Sequence, residues 1–124
     1  MAREKRGRFR DSFFAPVSAD VGHGTWQPAM DVYRTRDGWL VKFDLAGVRP
    51  EDVRVSVSGH DLTVDGTRRD WSLEDGCCQY RMEIAYSRFE RHLTLPDNLE
   101  RAQITLEQRQ GMLLVRINVG REVQ

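Results

Sequence analysis

The stretch of residues 39–69 restricts the possible folds more than any other part of the sequence. It contains three short runs of alternating apolar and polar side chains, separated by turn-like segments at 46–50 and 58–60. Alternation with a period of two residues is typical of β-strands that bury one face. No catalytic or phosphate-binding motif interrupts these runs. The stretch therefore predicts β-structure in which surfaces and edges carry the function.

The same pattern continues on both sides of this stretch. A first strand is predicted at residues 30–34, followed by a tight turn in which Gly38 supplies a positive φ. Further strands are predicted at residues 80–84, 89–95, 104–106 and 113–119. Pro96 ends one of them because proline has no N–H to donate. The chain shows no internal repeat and no amphipathic helix of useful length, so the predicted fold is an all-β sandwich.

The chain is predicted to form one domain with short appendages, as its length of 124 residues allows. We expect a basic and aromatic arm at residues 1–25, a folded domain at 26–119 and a short tail at 120–124. Within the domain, residues 69–86 form a polar loop that is too long for a hairpin connection unless it has a function.

Charge and cysteine usage limit the partners and the compartment. Basic and acidic residues balance at 19 each, although the first ten residues carry five basic side chains and one acidic one. Short basic termini are usually solvated, so we expect no nucleic-acid partner.

No apolar run is long enough to span a membrane or to serve as a secretory signal, so a cytoplasmic location is expected. Adjacent Cys77 and Cys78 predict free thiols, with a disulfide between subunits as the alternative.

Enzymatic chemistry is not predicted. The sequence contains no G-x-S-x-G, H-E-x-x-H or Walker motif, and its histidines are scattered at positions 23, 60 and 92, so neither a metal nor a cofactor is expected. Carboxylates such as Asp52 and Asp65 are interpreted as solubilising charges. Arg91 lies in phase with apolar neighbours, where a charge needs a partner. An ion pair is expected there, with Glu83 of a second subunit as one candidate.

Several segments resemble, in order and spacing, the α-crystallin domain of the small heat-shock protein family. The central one is FDLAGVRPEDVRVSVSGHDLTVDGTRR at residues 43–69. FERHLTLP at 89–96 is similar to the F-x-R-x-F-x-L-P strand of the family, and ITLEQRQGML at 104–113 to its I-x-A-x-x-x-N-G-V-L signature. WQP followed by DVY, and YRME followed by Tyr86, resemble the segments that begin the domain and leave its long loop.

The resemblance implies an immunoglobulin-like antiparallel β-sandwich that dimerises. In bacterial and plant members, a strand in the long loop pairs with the first strand of the partner. Transferred to this chain, the dimer interface comprises Asp31, Val32, Tyr33, Arg34, Tyr80, Arg81, Met82, Glu83 and Arg91. The resemblance also implies a groove between two edge strands, which in the family receives an I-x-I/V segment from a neighbour. That groove is expected to be lined by Val53, Val55, Val57, Ile104 and Leu106.

Three positions and the C-terminus depart from the family pattern. Leu106 stands where the family usually has Ala, Gln110 where it has Asn, and Ala46 where it has Pro. Residues 120–124 are shorter than the family's tail, and the I-N-V sequence at 117–119 falls in the predicted closing strand. We therefore expect a dimer or a slightly larger assembly, or a mixed oligomer in which another small heat-shock protein supplies the tail.

Three hypotheses of different classes remain for the function. The first is an ATP-independent holdase that binds unfolding client proteins through apolar surface. Its first contacts would be Phe9, Phe13, Phe14 and Val17 on the arm, and the groove would be the second. The second is a co-chaperone or adaptor of the CS-domain type that docks on one folded partner; it predicts a monomer without a strand-bearing loop. The third, an enzyme, ranks last because the motifs are missing.

Overall fold

Seven β-strands and one 3₁₀ turn make up the described part of the protein, residues 26–71 and 74–120 of a computed structural model. The predicted arm contacts Phe9, Phe13, Phe14 and Val17 lie outside these residues. The strands are β1 (Met30–Arg34), β2 (Gly38–Asp44), β3 (Val53–Ser58), β4 (Asp61–Thr67), β5 (Arg88–Thr94), β6 (Gln103–Arg109) and β7 (Met112–Asn118), with the 3₁₀ turn at Pro50–Asp52.

The strands form two antiparallel sheets, ordered β1-β2-β7-β6 and β3-β4-β5. Their alternating apolar side chains form one buried cluster, in which Val41 lies opposite Val115 and Val55 opposite Val64. Each such side chain contributes about 1.5–3 kcal/mol when fully buried. A shift of one residue would move a strand's apolar side chains to solvent, so this burial fixes the register. The predicted all-β sandwich is confirmed.

Two turns require unusual backbone geometry, and one glycine has a different role from the predicted one. Gln110 and Gly111 between β6 and β7 have φ of 51° and 77°, the two positive values that a type I′ hairpin turn needs. Gly38, in contrast, is not among the residues with positive φ, so that prediction is wrong. A Cβ at Gly38 would collide with the carbonyl oxygen of Ile117. Glycine is needed there because β2 passes very close to the backbone of β7.

The segment before β1 covers the outer edge of β5. Trp26 forms a parallel β-bridge with Phe89, and their rings meet edge-to-face with centroids 5.4 Å apart. Pro28 is fully buried, and its carbonyl oxygen accepts a hydrogen bond of 2.7 Å from Nη1 of Arg91. This carbonyl, rather than a carboxylate of Glu83, is the observed partner of Arg91 in the single chain.

Two of the carboxylates interpreted as solubilising charges are instead paired. Asp65 lies 3.2 Å from Arg54 on the outer face of the β3-β4-β5 sheet. Asp52 is 8% exposed, and both its oxygens accept hydrogen bonds from Arg69, at 3.1 and 3.4 Å. The interpretation is wrong for these two residues, because the sequence does not show which acids face an arginine from another element.

Candidate protein-binding interface

The outer edge of β1 is open in the described chain. β1 is the first strand of its sheet and pairs only with β2. Four of its five residues are exposed, including Val32 at 39% and Tyr33 at 44%. The backbone N–H and C=O groups along such an edge can pair with a strand from another chain. The predicted interface residues 31–34 therefore lie where a second strand can be added.

Cations hold two aromatic rings beside this edge. The ammonium of Lys42 lies 5.4 Å from the ring centre of Tyr33, and the guanidinium of Arg34 lies 4.8 Å from that of Trp39. Cation–π contacts at exposed sites contribute about 0.5–1 kcal/mol each. They favour one orientation of Tyr33 and Arg34, exposed side chains of β1 that a partner strand would meet.

The long loop presents apolar side chains to solvent. All of its described residues from 70 to 85 are exposed. Tyr80 is 100% exposed, Met82 45% and Ile84 58%, and they alternate with Arg81 and Glu83, which lie 3.6 Å apart. Residues 80–84 do not form a strand in the single chain, since a strand needs the backbone hydrogen bonds of a neighbour. Their pairing with a second copy stays a prediction.

The exposed large apolar side chains of the described residues are confined to these two segments. All six of them belong either to β1 or to the loop: Val32, Tyr33, Trp71, Tyr80, Met82 and Ile84. Single exposed apolar residues are common on any protein surface, whereas their concentration in particular segments indicates an interaction surface.

Two consecutive arginines anchor the base of the loop. Arg69 binds Asp52 and so attaches the start of the loop to the 3₁₀ turn. Arg68 donates from Nε to the carbonyl oxygen of Ala85 at 2.8 Å, near the end of the loop. Partial burial lowers the pKa of Arg68 from its ordinary value, against the opposing effects of Tyr86 and Asp44. Its guanidinium stays protonated at physiological pH. Sequence reasoning missed all these contacts.

A second surface feature is a groove of about 540 Å³ beside β6. Of the five predicted groove residues, Val53, Ile104 and Leu106 line it; Val53 and Ile104 are largely buried, whereas Leu106 is half-buried. Val55 is fully buried in the core, and Val57 packs against the core without lining the groove. The groove is also lined by Pro50, Thr105, Glu107, Gln108 and Leu113.

Charged side chains border this groove. Glu107 accepts a hydrogen bond of 2.6 Å from Nη1 of Arg116 and a second of 3.0 Å from Nε of Arg109. The hydrogen bond from Arg116 is the main cause of the lowered pKa of Glu107. An apolar floor with a charged border suits an extended peptide whose side chains alternate between apolar and polar.

Three further properties concern chemistry and location. Among residues 26–71 and 74–120, no group of three His, Cys, Asp or Glu side chains is arranged to hold a metal ion. Cys77 and Cys78 are exposed free thiols in the single chain. The part of the chain that the structure describes has no helix long and apolar enough to cross a bilayer.

Residues 31–124 match the Hsp20/alpha crystallin family. The 18 kDa heat shock protein of Streptomyces albus G is 34% identical over 104 residues, which cover 78% of this chain and 71% of that protein. Spore protein SP21 of Stigmatella aurantiaca is 28% identical over 83% of this chain, and the chloroplastic small heat shock protein of Solanum lycopersicum is 30% identical over 77%. The matched regions span only 61% and 40% of these last two proteins.

Solved structures show the same sandwich. Heat shock protein 16.0 from Schizosaccharomyces pombe superposes with a TM-score of 0.69 at 25% identity, over 80% of this chain and 94% of that one. The hspA protein from Xanthomonas axonopodis superposes with a TM-score of 0.62 at 28% identity, over 77% and 95% of the two chains.

Proposed function

Because the chain belongs to the Hsp20/alpha crystallin family, which matches residues 31–124, we propose that it is an ATP-independent chaperone. In this proposal it binds unfolding client proteins and keeps them from aggregating. The observation that carries the proposal is the groove beside β6, whose apolar floor and charged border suit an extended segment of an unfolded chain. Holding an unfolded chain requires accessible apolar surface and no chemical step, so no enzymatic activity is included.

The proposed resting unit is a dimer in which β1 of each protomer pairs with residues 80–84 of its partner. β1 has five residues, and so has the exposed alternating segment. Pairing would give the outer edge of β1 a neighbour and would bury Tyr80 and Met82 against the partner. Strand addition at a sheet edge is a general mode of association, in which backbone bonds supply affinity and alternate side chains supply specificity.

The client-binding surface is proposed to comprise the arm and the groove. Phe9, Phe13, Phe14 and Val17 of the arm would make the first apolar contacts. The groove beside β6, with Val53 and Ile104 at its floor, would take an extended segment of a client or of another subunit. The half-buried Leu106 reduces the space available there.

A cytoplasmic location belongs to the same proposal. It is supported by the cysteine content of the sequence, since Cys77 and Cys78 are adjacent and the chain has no other cysteine to pair with, which suits a reducing compartment.

The experiment is light scattering of a heat-stressed client enzyme with this protein added and no nucleotide present. We expect near-stoichiometric protein to suppress the scattering. The combined change of Phe9, Phe13 and Phe14 to Ser should weaken this suppression without altering the assembly mass.

The dimer is tested by sedimentation, in which changing Tyr80 and Met82 to Ser should convert dimers to monomers. The control Ser56→Ala lies outside the arm and the loop and should change neither the suppression of scattering nor the dimer mass. Unaltered client aggregation would rule out autonomous holdase activity and favour the adaptor.

A further inference from the structure

Three segments that are distant in sequence meet at the side chain of Arg68. Its guanidinium stacks on the ring of Trp26, 3.7 Å from the centroid, at the start of the described domain. Nη1 donates to the carbonyl oxygen of Ala46 at 3.2 Å, in the turn after β2. Nε donates to the carbonyl oxygen of Ala85, near the end of the long loop. The side chain thus joins the start of the domain to the loop that carries residues 80–84.

Hydrogen bonds of the backbone also connect Arg68 and Trp26 to Ser87, just after the long loop. The N–H of Arg68 donates to the carbonyl oxygen of Ser87 at 3.0 Å, and the Oγ of Ser87 accepts from the N–H of Trp26 at 3.4 Å. Tyr86 lies 5.9 Å from the Arg68 guanidinium. Trp26, Arg68 and Ser87 therefore form a closed set of contacts, and a displacement of Trp26 must either break one of them or move the end of the loop.

Only an arginine can make this set of side-chain contacts. Its planar guanidinium presents its face to an aromatic ring while its N–H groups point in fixed directions within the plane. A lysine ammonium could still lie over the ring, but its single nitrogen on a flexible stem cannot occupy the positions of both Nε and Nη1. Hydrogen bonds from a charged donor are also stronger than neutral ones, so both carbonyls are held firmly.

We propose that Arg68 is a positioning residue for dimerisation: it fixes where residues 80–84 leave the domain and couples that direction to Trp26. The inference rests on the proposed dimer. Neither Arg68 nor Trp26 belongs to the predicted interface, yet both control its affinity. Trp26 directly follows the arm, so a client that displaces Trp26 would loosen the loop and weaken the dimer.

The test measures the dimer dissociation constant by sedimentation and the amide exchange of residues 80–87 by mass spectrometry. Arg68→Met should raise the dissociation constant by at least about tenfold, since it removes two charge-assisted hydrogen bonds and a stack. Arg68→Lys should give a smaller increase, because the cation over Trp26 is kept. Arg54→Met is the matched control: it removes an arginine with an exposed ion pair on the same sheet, and it should change the dissociation constant less than twofold.

Coupling to Trp26 is tested by combining substitutions. If the stack transmits the effect, Trp26→Phe should weaken the dimer in the wild-type background and have little further effect in Arg68→Met. Simple loss of stability would instead give additive effects. Should Arg68→Met fail to fold, Arg68→Gln, which also removes the cation over Trp26, gives the same comparison with Trp26→Phe.

The outcomes separate this inference from the proposed function. A wild-type protein that is monomeric at every concentration would refute the dimer, whereas accelerated exchange at residues 85–87 in Arg68→Met would still establish the anchor. A dimeric wild type, with the Arg68→Met dissociation constant within twofold of that of Arg54→Met, would overturn the positioning role. Tenfold weakening together with non-additivity would support it.

Discussion

The ion pair between Asp52 and Arg69 is predicted to stabilise the fold far more than the pair between Arg54 and Asp65. The side chains of Asp52 and Arg69 are 5% and 17% exposed, whereas those of Arg54 and Asp65 are 43% and 25% exposed. Breaking a buried pair costs about 3–5 kcal/mol, whereas exposed pairs contribute about 0–1 kcal/mol. Because Arg69 keeps some contact with water, we expect Asp52→Asn to cost about 2–3 kcal/mol and Asp65→Asn less than about 1 kcal/mol.

Thermal and urea unfolding of both sets of variants measure these differences. In a domain of this size a loss of 1 kcal/mol lowers Tm by about 4–8 °C, so Asp52→Asn should lower it by about 10–20 °C. A double-mutant cycle with Arg69→Met should give a coupling energy of about 2 kcal/mol, and the matched cycle at Arg54 and Asp65 less than about 0.5 kcal/mol. Equal couplings in the two cycles would refute the argument that burial decides the strength.

Two further predictions concern the β6–β7 hairpin. Gln110→Asn should raise the free energy of unfolding by about 0.5–1 kcal/mol, because Asn tolerates the positive φ of that position better; a lower urea midpoint would count against this account. The hydrogen bond from Arg116 is the main reason why the pKa of Glu107 lies below its ordinary value of 4.5. Glu107 therefore stabilises the fold at pH values above its pKa in the unfolded chain. This stabilisation is lost as the pH falls through its lower pKa in the folded protein. NMR titration should place its midpoint below that of an unpaired glutamate, and Arg116→Gln should raise the midpoint; no rise would show that Arg116 is not the cause.

The strands and the core could be predicted because their signal is local. In β2, Trp39, Val41 and Phe43 alternate with less buried neighbours, and all three are buried in the sandwich. A period of two residues specifies both the extended backbone and the face that meets the other sheet. The same applies to β7, whose inward residues lie opposite those of β2.

The candidate site was less predictable because its contacts depend on packing between distant segments. Nothing in the sequence distinguishes Asp52, which is buried against Arg69, from an exposed carboxylate. Val53 and Val55 have the same phase in β3, yet only Val53 lines the groove. Which of the two valines reaches the groove depends on where the second sheet ends. The alternation of residues along one strand carries no information about that position. Residues 80–84 carry a strand pattern but form no strand, because no strand of the described chain pairs with them.

The contact between Trp26 and Phe89 has a consequence for where the stable folding unit begins. The family match starts at residue 31, five positions beyond the tryptophan that bridges β5. A chain cut just before β1 would lose the ring that packs on Phe89 and the Pro28 carbonyl that binds Arg91. It would also leave the backbone N–H and C=O groups along the outer edge of β5 unpaired. Strands of other chains could then pair with this edge and cause aggregation. We infer that the stable folding unit includes the residues from position 26 onward and not only those from the first strand.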